Sequence, residues 1–462
     1  MTEEIELTEE ELRKKAEKPA RQAMKWHPFY KGKVEIFPKA AIPDFSAFGV
    51  WYTPGVAAPC RAINKEPDLS YEHTNRANTI AVVSDGTRVL GLGDIGPAAG
   101  MPVMEGKALL FKYLGGVDAI PLCINTKDPD KIIEFVEHLA PSVAGINLED
   151  ISQPKCFYIL DTLRENNIKK NLNMCIWHDD QQGTASITAA GAINACKLAG
   201  KNIKDVEVVF NGAGAANIAI SRVMMAAGFP LKNMIMVDST GILSQDRASN
   251  FDPEDWKKYP DKYKMCTQSN TAGKTGSLQD AVKGADLLIS ASVPKPGTIT
   301  PEHIKAMADK SIVFACANPI PEIYPWTAKK AGAYIVATGR SDFPNQVNNS
   351  LGFPGIFRGA LDVRATTITD EMTIAAALEI AKMAEEKDYF DEEHIVPTMD
   401  DWEIFPREAA AVGTKAIEQG VARLKFTREE LFEMAKVRIE DVRNRVQFMM
   451  KNDYIKPPPH VE

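Results

Sequence analysis

The sequence lacks cysteine pairs at metal-binding or redox spacing, and it lacks long apolar runs. Its seven cysteines are scattered, most of them in apolar stretches where a thiol acts as a small hydrophobe. This pattern argues against a disulfide framework or a zinc site and favours a reducing cytosol. Residues 1–18 are densely charged without the apolar core of a signal peptide, and nowhere do about 18 apolar residues follow one another. We therefore expect a cytoplasmic protein without a membrane span.

An excess of positive charge is also missing. The formal net charge is −8, with 54 Lys+Arg against 62 Asp+Glu. Such a balance gives no general attraction to phosphate backbones or anionic membranes, so neither nucleic acid nor a membrane is expected as a partner. A length of 462 residues with 45% hydrophobic residues indicates a globular protein of two or three domains.

A regular alternation of strands and helices predicts an α/β protein with parallel sheets. The first series comprises predicted strands over residues 119–124, 143–148 and 173–177 and helices over 128–139 and 154–166. The second comprises predicted strands over residues 206–210, 234–237, 287–289, 312–315 and 333–337. We expect a first α/β domain over residues 1–183, a doubly wound, Rossmann-like domain over 184–345, and a helical C-terminal segment over 346–462 that packs back on the cleft.

Two helix starts are marked by capping-box spacing, in which a hydroxyl residue is followed three positions later by an acid. Thr8 and Glu11 predict an amphipathic helix that runs to about residue 24. Thr427 and Glu430 predict a charged helix that runs to about residue 451.

Two further segments have less regular patterns. Residues 79–83 and 89–91 flank a turn at residues 84–87, which predicts a hairpin. The polar stretch 246–274 interrupts the second series, and we expect it to be an excursion on the surface.

A glycine-rich turn stands between a predicted strand and a predicted helix. It consists of Asn211, Gly212, Ala213, Gly214, Ala215, Ala216 and Asn217. Glycines permit a tight turn, and the helix N-terminus offers amide donors to a pyrophosphate. Asp238 ends the next strand, where a carboxylate can accept hydrogen bonds from an adenosine ribose. The pattern favours a dinucleotide site, with a turn that only packs as the alternative. Asn217 replaces the third glycine of this motif, so we expect the pyrophosphate turn to be looser or to be approached differently.

Two acidic pairs, Glu149-Asp150 and Asp179-Asp180, follow two predicted strands of the first series. If those strands are parallel, both pairs project from the carboxyl edge of one sheet, where α/β sheets bind ligands. Converging carboxylates repel one another unless a cation neutralises them, and oxygen ligands favour Mg²⁺ or Mn²⁺ over zinc. The alternative is that each pair caps the following helix. Together, beside a nucleotide fold, the two pairs favour a metal.

Spacing alone assigns no function to Tyr52, Arg88, Lys107 or His178. Lys107 lies on a predicted helix, where a lysine is ordinarily a solvated charge, and Tyr52 and Arg88 lie in or beside turns. A histidine beside two acids is ordinarily a hydrogen-bonded neighbour, so His178 is given no role.

Five motifs nevertheless follow one another in a fixed order. They are Tyr52-Thr53-Pro54-Gly55-Val56-Ala57, Asp85-Gly86-Thr87-Arg88-Val89-Leu90-Gly91-Leu92-Gly93-Asp94, Glu105-Gly106-Lys107, Gly145-Ile146-Asn147-Leu148-Glu149-Asp150 and His178-Asp179-Asp180-Gln181-Gln182-Gly183-Thr184. In this order the chain resembles malic enzymes of the short prokaryotic type, over residues 28–422. The resemblance implies oxidative decarboxylation of L-malate to pyruvate and CO₂ with NAD⁺ or NADP⁺ and a divalent metal, Mg²⁺ or Mn²⁺. It also implies that the first domain binds substrate and metal.

The resemblance further implies roles for individual residues. The metal ligands are Glu149, Asp150 and Asp180. The catalytic residues are Lys107 as the base on the C2 hydroxyl, Tyr52 as the acid that protonates C3 of the enol, and Asp179 as the partner of the lysine. Arg88 holds a malate carboxylate, and the amides near substrate and nicotinamide are those of Asn318 and Asn349, with Asn348 beside it. A lysine acts as a base near neutral pH only if burial or a neighbouring cation lowers its pKa, and the metal is such a cation.

The coenzyme, the assembly and the reaction leave alternatives. Asp238 suits a ribose diol and would repel a 2′-phosphate, whereas Arg247 is near enough in sequence to offset it; the balance favours NAD⁺. The family is usually dimeric or tetrameric, which implies a homo-oligomer with the N-terminal helical segment as a reasonable interface. The competing functions are a catalytically silent nucleotide-binding regulatory protein and a metal-dependent decarboxylase of oxaloacetate without net redox change.

Overall fold

Two β-sheets organise the chain in a computed structural model that describes residues 9–250, 252, 254, 259–318, 320–340 and 342–460. The first sheet contains β1 (Thr79–Ser84), β2 (Asp118–Cys123), β3 (Gly145–Leu148) and β4 (Cys175–His178), in the order β2-β1-β3-β4. The second contains β5 (Val208–Asn211), β6 (Met234–Asp238), β7 (Gly241–Ile242), β8 (Leu287–Ser290), β9 (Ile312–Ala315) and β10 (Ile335–Thr338), in the order β10-β9-β8-β5-β6-β7. Neighbouring strands run parallel except β7, which is antiparallel to β6.

Helices connect and cover both sheets. In chain order they are Glu9–Tyr30, Ala47–Trp51, Ala57–Lys65, Ser70–His73, Pro97–Gly115, Pro129–His138, Lys155–Lys169, Asp179–Ala199, Ala215–Ala226, Gln245–Ser249, Pro260–Gln268, Leu278–Ala281, Pro301–Lys305, Pro325–Lys330, Phe353–Asp362, Asp370–Glu385, Ile404–Glu418 and Arg428–Lys451. The predicted fold class, an α/β body with a Rossmann-like sheet and a helical C-terminus, is confirmed.

The strands of the second sheet are short and almost wholly buried, as β5, β8 and β9 show. Strands covered by helices on both faces are typically continuous apolar runs of this kind. The helix Asp179–Ala199 leads from β4 toward this sheet, and its small buried residues pack in the core formed with Ala215–Ala226. A single helix therefore connects the acidic edge of the first sheet to the second sheet.

The C-terminal helices return to the first sheet. Phe353 and Phe357 contact Phe111, with ring centroids 4.6 and 5.1 Å apart, and Phe357 also meets Trp177 at 6.3 Å. These rings belong to one buried apolar cluster. The start of the helix Phe353–Asp362 is thereby fixed beside the carboxyl end of β4.

The predicted hairpin at residues 79–91 is wrong. All of β1 is buried, and the strand lies between β2 and β3, parallel to both, so neither of its edges is free for a returning strand. Gly86 has a φ of 68° and packs so closely on Gly96 that a Cβ would lie 2.3 Å from the Gly96 carbonyl oxygen. The chain therefore leaves the sheet after the turn, and Leu90–Leu92 forms a 3₁₀ turn.

Three other local predictions have different outcomes. The capping box of Thr427 and Glu430 is confirmed, because each side chain bonds the other residue's backbone N–H at the start of the helix Arg428–Lys451. Thr8 lies outside the described residues, and the first described helix continues to Tyr30. The stretch 246–274 is only partly an excursion, because Met265 and Cys266 are 2% exposed and belong to the core. Within the described residues, no helix is long and apolar enough to cross a membrane.

Candidate active site

The two acidic pairs meet at the carboxyl edge of the first sheet. Leu148 of β3 and His178 of β4 are register partners, so the residues after them emerge side by side. A carboxylate oxygen of each of Glu149, Asp150 and Asp180 lies within 4.8 Å of the other two. The structure thus brings together the three residues expected to bind a metal.

The alternative, that these acids only cap helices, fails for Glu149 and Asp150. The helix Lys155–Lys169 begins after Pro154, without a side-chain cap. Asp150 instead has a φ of 54°, and its N–H donates to Asp180 Oδ2 at 2.9 Å. Asp179 and Asp180 do lie in the first turn of their helix, where the helix dipole stabilises acids.

Lys107 is buried beside this cluster. It lies on the helix Pro97–Gly115, and its Nζ is 2.6 Å from Asp179 Oδ2 and 3.0 Å from Glu149 Oε1. The ring of Phe353 covers the ammonium group, with 4.2 Å between Nζ and the ring centroid. Asp179 also accepts hydrogen bonds from Trp177 Nε1 at 3.3 Å and from Asn349 Nδ2. Lys107 is therefore a fixed, desolvated group.

The charges of this cluster are unbalanced. Burial raises the pKa of Glu149 well above its ordinary value, although Lys107 opposes the shift. Burial, together with the charge of Asp180, raises the pKa of Asp150 to about 8. Burial lowers the pKa of Lys107, but the charges of Asp179 and Glu149 outweigh burial and hold that pKa above its ordinary value. Burial alone therefore does not lower the Lys107 pKa, and the lowering expected from a bound metal stays a prediction.

The donor set fits a hard divalent cation. The three residues supply carboxylate oxygens, which Mg²⁺ and Mn²⁺ prefer. Asp150 Oδ2 is buried and has no hydrogen-bond partner among the described residues. Carboxylates that are costly to ionise together become favourable ligands once a cation neutralises them.

Arg88 and His178 flank the cluster. Arg88 is exposed, and its charge, with that of Lys107, opposes the burial that raises the pKa of Asp180. Burial lowers the pKa of His178 to about 4, so this ring is neutral at pH 7. Within the described chain neither ring nitrogen of His178 has a hydrogen-bond partner, and Asp180 Oδ2 lies 3.7 Å from Nδ1.

Tyr52 is not brought into this cluster within one chain. It follows the short helix Ala47–Trp51, none of whose residues is buried, and its side chain is 72% exposed. The structure therefore separates Tyr52 from the buried group that contains Lys107.

The glycine turn follows β5 of the second sheet, as predicted. Gly212 has a φ of 107°, which favours glycine, and Gly214 precedes the helix Ala215–Ala226. Asn217 is buried, and its Nδ2 donates to the carbonyl oxygens of Asn211 at 2.9 Å and Gly212 at 2.8 Å. The expectation of a looser turn is thus wrong, because the asparagine braces the turn that it was expected to loosen.

Asp238 borders a cavity of about 690 Å³ beside this turn. Arg247 binds its carboxylate through two nitrogens, Nη1 to Oδ1 and Nη2 to Oδ2, both at 2.9 Å. Thr240 adds its N–H at 2.9 Å and its hydroxyl at 2.8 Å, both to Oδ1. Burial acts to raise the pKa of Asp238, but these hydrogen bonds prevail and lower it. The two residues expected to set coenzyme choice therefore form one ion pair.

The three asparagines expected near substrate and nicotinamide lie in different places. Asn349 contacts Asp179, and so reaches the Lys107 cluster. Asn348 caps its own turn, accepting from Ser350 N at 3.0 Å and donating to the Gly339 carbonyl at 3.2 Å. Asn318 follows β9 and packs on Gly339, where a Cβ would lie 2.6 Å from Asn318 Nδ2. Only Asn349 of the three contacts the catalytic candidates directly.

Sequence reasoning missed two residues of this region. Phe353 covers Lys107, and no local signal marks it among other apolar residues. Glu322 is fully buried close to Asn318. An acid within an otherwise apolar, proline-containing stretch was the available signal for Glu322.

Comparison with known proteins gives consistent matches along the chain. Residues 31–164 match the family model of the malic enzyme N-terminal domain, and residues 181–417 match that of the malic enzyme NAD binding domain. The chain is 46% identical to the bifunctional malic/malolactic enzyme of Bacillus subtilis (strain 168) over 89% of this chain and 96% of that one. It is 46% identical to the NAD-dependent malic enzyme of Geobacillus stearothermophilus over 85% of this chain and 78% of that one.

A solved structure agrees with these matches. The crystal structure of Entamoeba histolytica malic enzyme has a TM-score of 0.92 and 46% identity, covering 98% of this chain and 93% of that one. Both family models match in order, and the similarity extends across both sheets. The chain therefore belongs to the malic enzyme family.

Proposed function

We propose that this chain oxidatively decarboxylates L-malate to pyruvate and CO₂ while reducing NAD⁺ or NADP⁺. The observation that carries this proposal is the position of Lys107 Nζ, 2.6 Å from Asp179 and 3.0 Å from Glu149, beside three converging carboxylates. A glycine turn at the edge of the second sheet supplies a place for the coenzyme. The two sheets then form a substrate and metal domain over residues 1–183 and a coenzyme domain over 184–345, with residues 346–462 closing the cleft.

Glu149, Asp150 and Asp180 are the proposed ligands of Mg²⁺ or Mn²⁺. When bound, the cation would offset the negative charge around Lys107 and would stabilise the negative C2 oxygen that decarboxylation requires. Arg88, an exposed cation beside the cluster, would hold a malate carboxylate. Asn349 would orient the substrate while it holds Asp179.

Lys107 is the proposed base. Loss of hydride from C2 of malate requires removal of the C2 hydroxyl proton, and a neutral Lys107 Nζ would accept that proton. Asp179 fixes Nζ by a 2.6 Å hydrogen bond. The resulting β-keto acid, with its carbonyl at C2, loses its C4 carboxylate as CO₂, and the C2 oxygen takes the proton back from Lys107 to give an enol. Tyr52 would then protonate C3 of this enol while the hydroxyl proton returns to Lys107.

We further propose that Tyr52 acts in the site of a second copy of the chain. Large apolar side chains near Tyr52 are exposed in the single chain, including Ile36 at 99%, Phe37 at 72% and Phe45 at 88%. Exposed large apolar side chains concentrated in one segment of the chain favour a contact with another protein. A homodimer formed through residues 24–52 would cover these side chains and would bring Tyr52 to a partner's Lys107.

Mixed dimers test this arrangement. Tyr52→Phe and Lys107→Ala chains, each nearly inactive alone, should recover about a quarter of wild-type activity after unfolding and refolding together, because half the dimers then contain one intact site. No recovery in a confirmed mixed dimer would place Tyr52 and Lys107 of one chain in the same site.

Relatives of this chain are NAD- or NADP-dependent malic enzymes. The proposed coenzyme here is NAD⁺, because the Asp238 carboxylate lines the cavity where a 2′-phosphate would lie and would repel it. A kcat/KM for NADP⁺ that is about tenfold or more above that for NAD⁺ would contradict this choice. A cytoplasmic location also stays a prediction, supported by seven cysteines that are all free thiols.

The reaction is tested by incubating the protein with L-malate, Mn²⁺ and each coenzyme. Pyruvate and reduced nicotinamide should appear in equal amounts, and removal of divalent ions by a chelator should stop both. No reduced coenzyme with either nucleotide would refute the proposal. Turnover of oxaloacetate without any coenzyme, and none of malate, would instead support a simple decarboxylase, and nucleotide binding without turnover would support a regulatory protein.

A further inference from the structure

Glu322 lies between the two loops that flank the crevice of the second sheet. It is 0% exposed and follows β9 shortly after Asn318. Its Oε1 accepts hydrogen bonds from Ser290 Oγ at 2.7 Å, Ser292 N at 3.0 Å and Ser292 Oγ at 3.1 Å. Its Oε2 accepts from Ala317 N at 3.1 Å. The carboxylate thus joins the loop after β8 to the loop after β9, with one oxygen for each.

The first loop leads to the glycine turn. Asn211, the last residue of β5, donates from Nδ2 to Ser290 Oγ at 2.9 Å and to Ser292 Oγ at 3.3 Å. A Cβ on Gly212 would lie 3.0 Å from the Ala291 carbonyl oxygen, so this loop packs directly on the turn. The Oε1 contacts of Glu322 therefore hold the loop that supports the expected pyrophosphate site.

The second loop leads to Asn318. Ala317, whose N–H is bound by Oε2, directly precedes Asn318, and Asn318 packs on Gly339. The carbonyl oxygen of Glu322 itself accepts from Gly297 N at 3.0 Å and Ile299 N at 3.3 Å, which fixes the residue from the backbone side. The Oε2 contact therefore sets the position of the loop that carries Asn318.

All these hydrogen bonds to the carboxylate come from neutral donors. A buried carboxylate without a cation is destabilising unless its hydrogen bonds compensate. A fully satisfied network of this kind instead fixes the relative positions of the segments it joins.

We propose that Glu322 is a positioning residue, which sets the distance between the glycine turn and the Asn318 loop and so orients the coenzyme for hydride transfer from malate. The inference rests on the proposed function. Because Glu322 is 0% exposed, it would act on substrate and coenzyme only through the residues it holds, Ser292 and Ala317. Misplacement of reacting atoms by about 1 Å lowers a rate by about 10²-fold, so loss of the Oε2 contact, which holds the Asn318 loop, should affect chemistry more than binding.

Glu322→Gln distinguishes the contacts of Oε1 from the contact of Oε2. The amide oxygen can take the place of Oε1, which has more donors, but the NH₂ group then faces the Ala317 N–H, donor against donor. We expect kcat/KM for malate to fall by about 10- to 100-fold, while the dissociation constant of the coenzyme changes by less than about threefold. With malate deuterated at C2, the isotope effect on kcat/KM should rise, because hydride transfer becomes slower relative to the other steps.

Ser292→Ala is the matched variant for the Oε1 contacts, since it removes the Ser292 hydroxyl and keeps the Ser292 N–H. It should weaken coenzyme binding and leave the isotope effect unchanged. If Glu322→Gln does not fold, the Ser290→Ala and Ser292→Ala double variant tests the same division and should raise KM for the coenzyme more than it lowers kcat.

An unchanged isotope effect in folded Glu322→Gln, with turnover lowered or not, would overturn the positioning role, because a merely structural loss reduces the amount of active enzyme without altering its chemistry. If Glu322→Gln and Ser292→Ala had equal effects on malate turnover and on coenzyme binding, the positioning role would be overturned as well. Wild-type turnover of malate is measured first, so that an inactive wild type refutes the proposed function and a variant unlike this expectation refutes only the role of Glu322.

Discussion

The carboxyl edges of the two sheets differ in how their carboxylates are surrounded. At the first edge, ionisable side chains face one another with unbalanced charge, and Asp150 Oδ2 has no partner among the described residues. At the second edge, the carboxylates of Asp238 and Glu322 are surrounded by N–H and hydroxyl donors. Unmatched charge in a buried site is typical of a ligand-binding or reactive group, whereas carboxylates held by several donors are typical of a rigid frame. We therefore predict that the chemistry takes place at the first edge and that the coenzyme binds at the second.

The largest effect should come from removing the ammonium group of the first edge. Lys107→Ala should lower kcat by about 10²- to 10⁴-fold, because no other described side chain occupies the place of the base. Coenzyme affinity, measured by fluorescence titration, should change little. Lys112→Ala is the matched control, since Lys112 is on the same helix and pairs with Asp118 at a partly exposed site. A Lys107 variant as active as the Lys112 variant would break the assignment of chemistry to this edge.

The second edge should respond through specificity. Asp238→Ser removes the carboxylate that binds Arg247 through both terminal nitrogens. Nη1 keeps its hydrogen bonds to the Gly241 and Ile242 carbonyl oxygens, whereas Nη2 loses its acceptor and can bind a 2′-phosphate. Hydrogen bonds to charged groups contribute about 1.5–3 kcal/mol, so the ratio of kcat/KM for NADP⁺ over NAD⁺ should rise by about 10- to 100-fold.

Two controls sharpen that measurement. Asp261→Ser breaks another arginine pair, with Arg222, outside the cavity, and should leave the coenzyme ratio unchanged. Asp238→Ser combined with Arg247→Ala should lose the gain. If the double variant keeps it, Arg247 does not act on the 2′-phosphate.

The smallest effect concerns stability, at a buried carboxylate outside both edges. Glu408 is 0% exposed against Gly355, and neither of its oxygens has a hydrogen-bond partner within the described residues. Burial, with a contribution from Glu379, raises its pKa well above the ordinary 4.5. A raised folded-state pKa gives stability that is fully present below the unfolded-state value and is lost as pH rises toward the folded-state value.

Glu408→Gln should therefore raise Tm at pH 8 by about 2 °C, with a smaller gain at pH 5 and unchanged kcat. Calorimetry at the two pH values provides the measurement. Exposed Glu433, changed to Gln, should show no such pH-dependent gain. A lower Tm for Glu408→Gln at pH 8 would mean that the unmatched carboxylate is compensated and that the contrast between the edges is less general.

The sequence predicts those parts of this contrast that depend on strand order and chain neighbours. Acids directly after β3 and β4 must emerge together once the strands are parallel, and the turn before Ala215 has its own glycine signal. The hairpin prediction failed because local turn residues do not show that β1 is an interior strand. Contacts between segments far apart in the chain, such as Phe353 over Lys107 or Glu322 on Ser290, leave no periodic signal. The direction of the Lys107 pKa shift could not be predicted either, because it depends on how closely the carboxylates of Asp179 and Glu149 approach Nζ.

The central claim is tested most directly by equilibrium binding of Mn²⁺, measured by electron paramagnetic resonance for the wild type and for Asp180→Asn. The account predicts a Mn²⁺ site in the wild type and an affinity lower by about tenfold or more in the variant, while coenzyme binding at the second edge stays the same. Equal Mn²⁺ affinity in both proteins would contradict it, because the three carboxylates would then not be the metal site on which the proposed chemistry of the first edge depends.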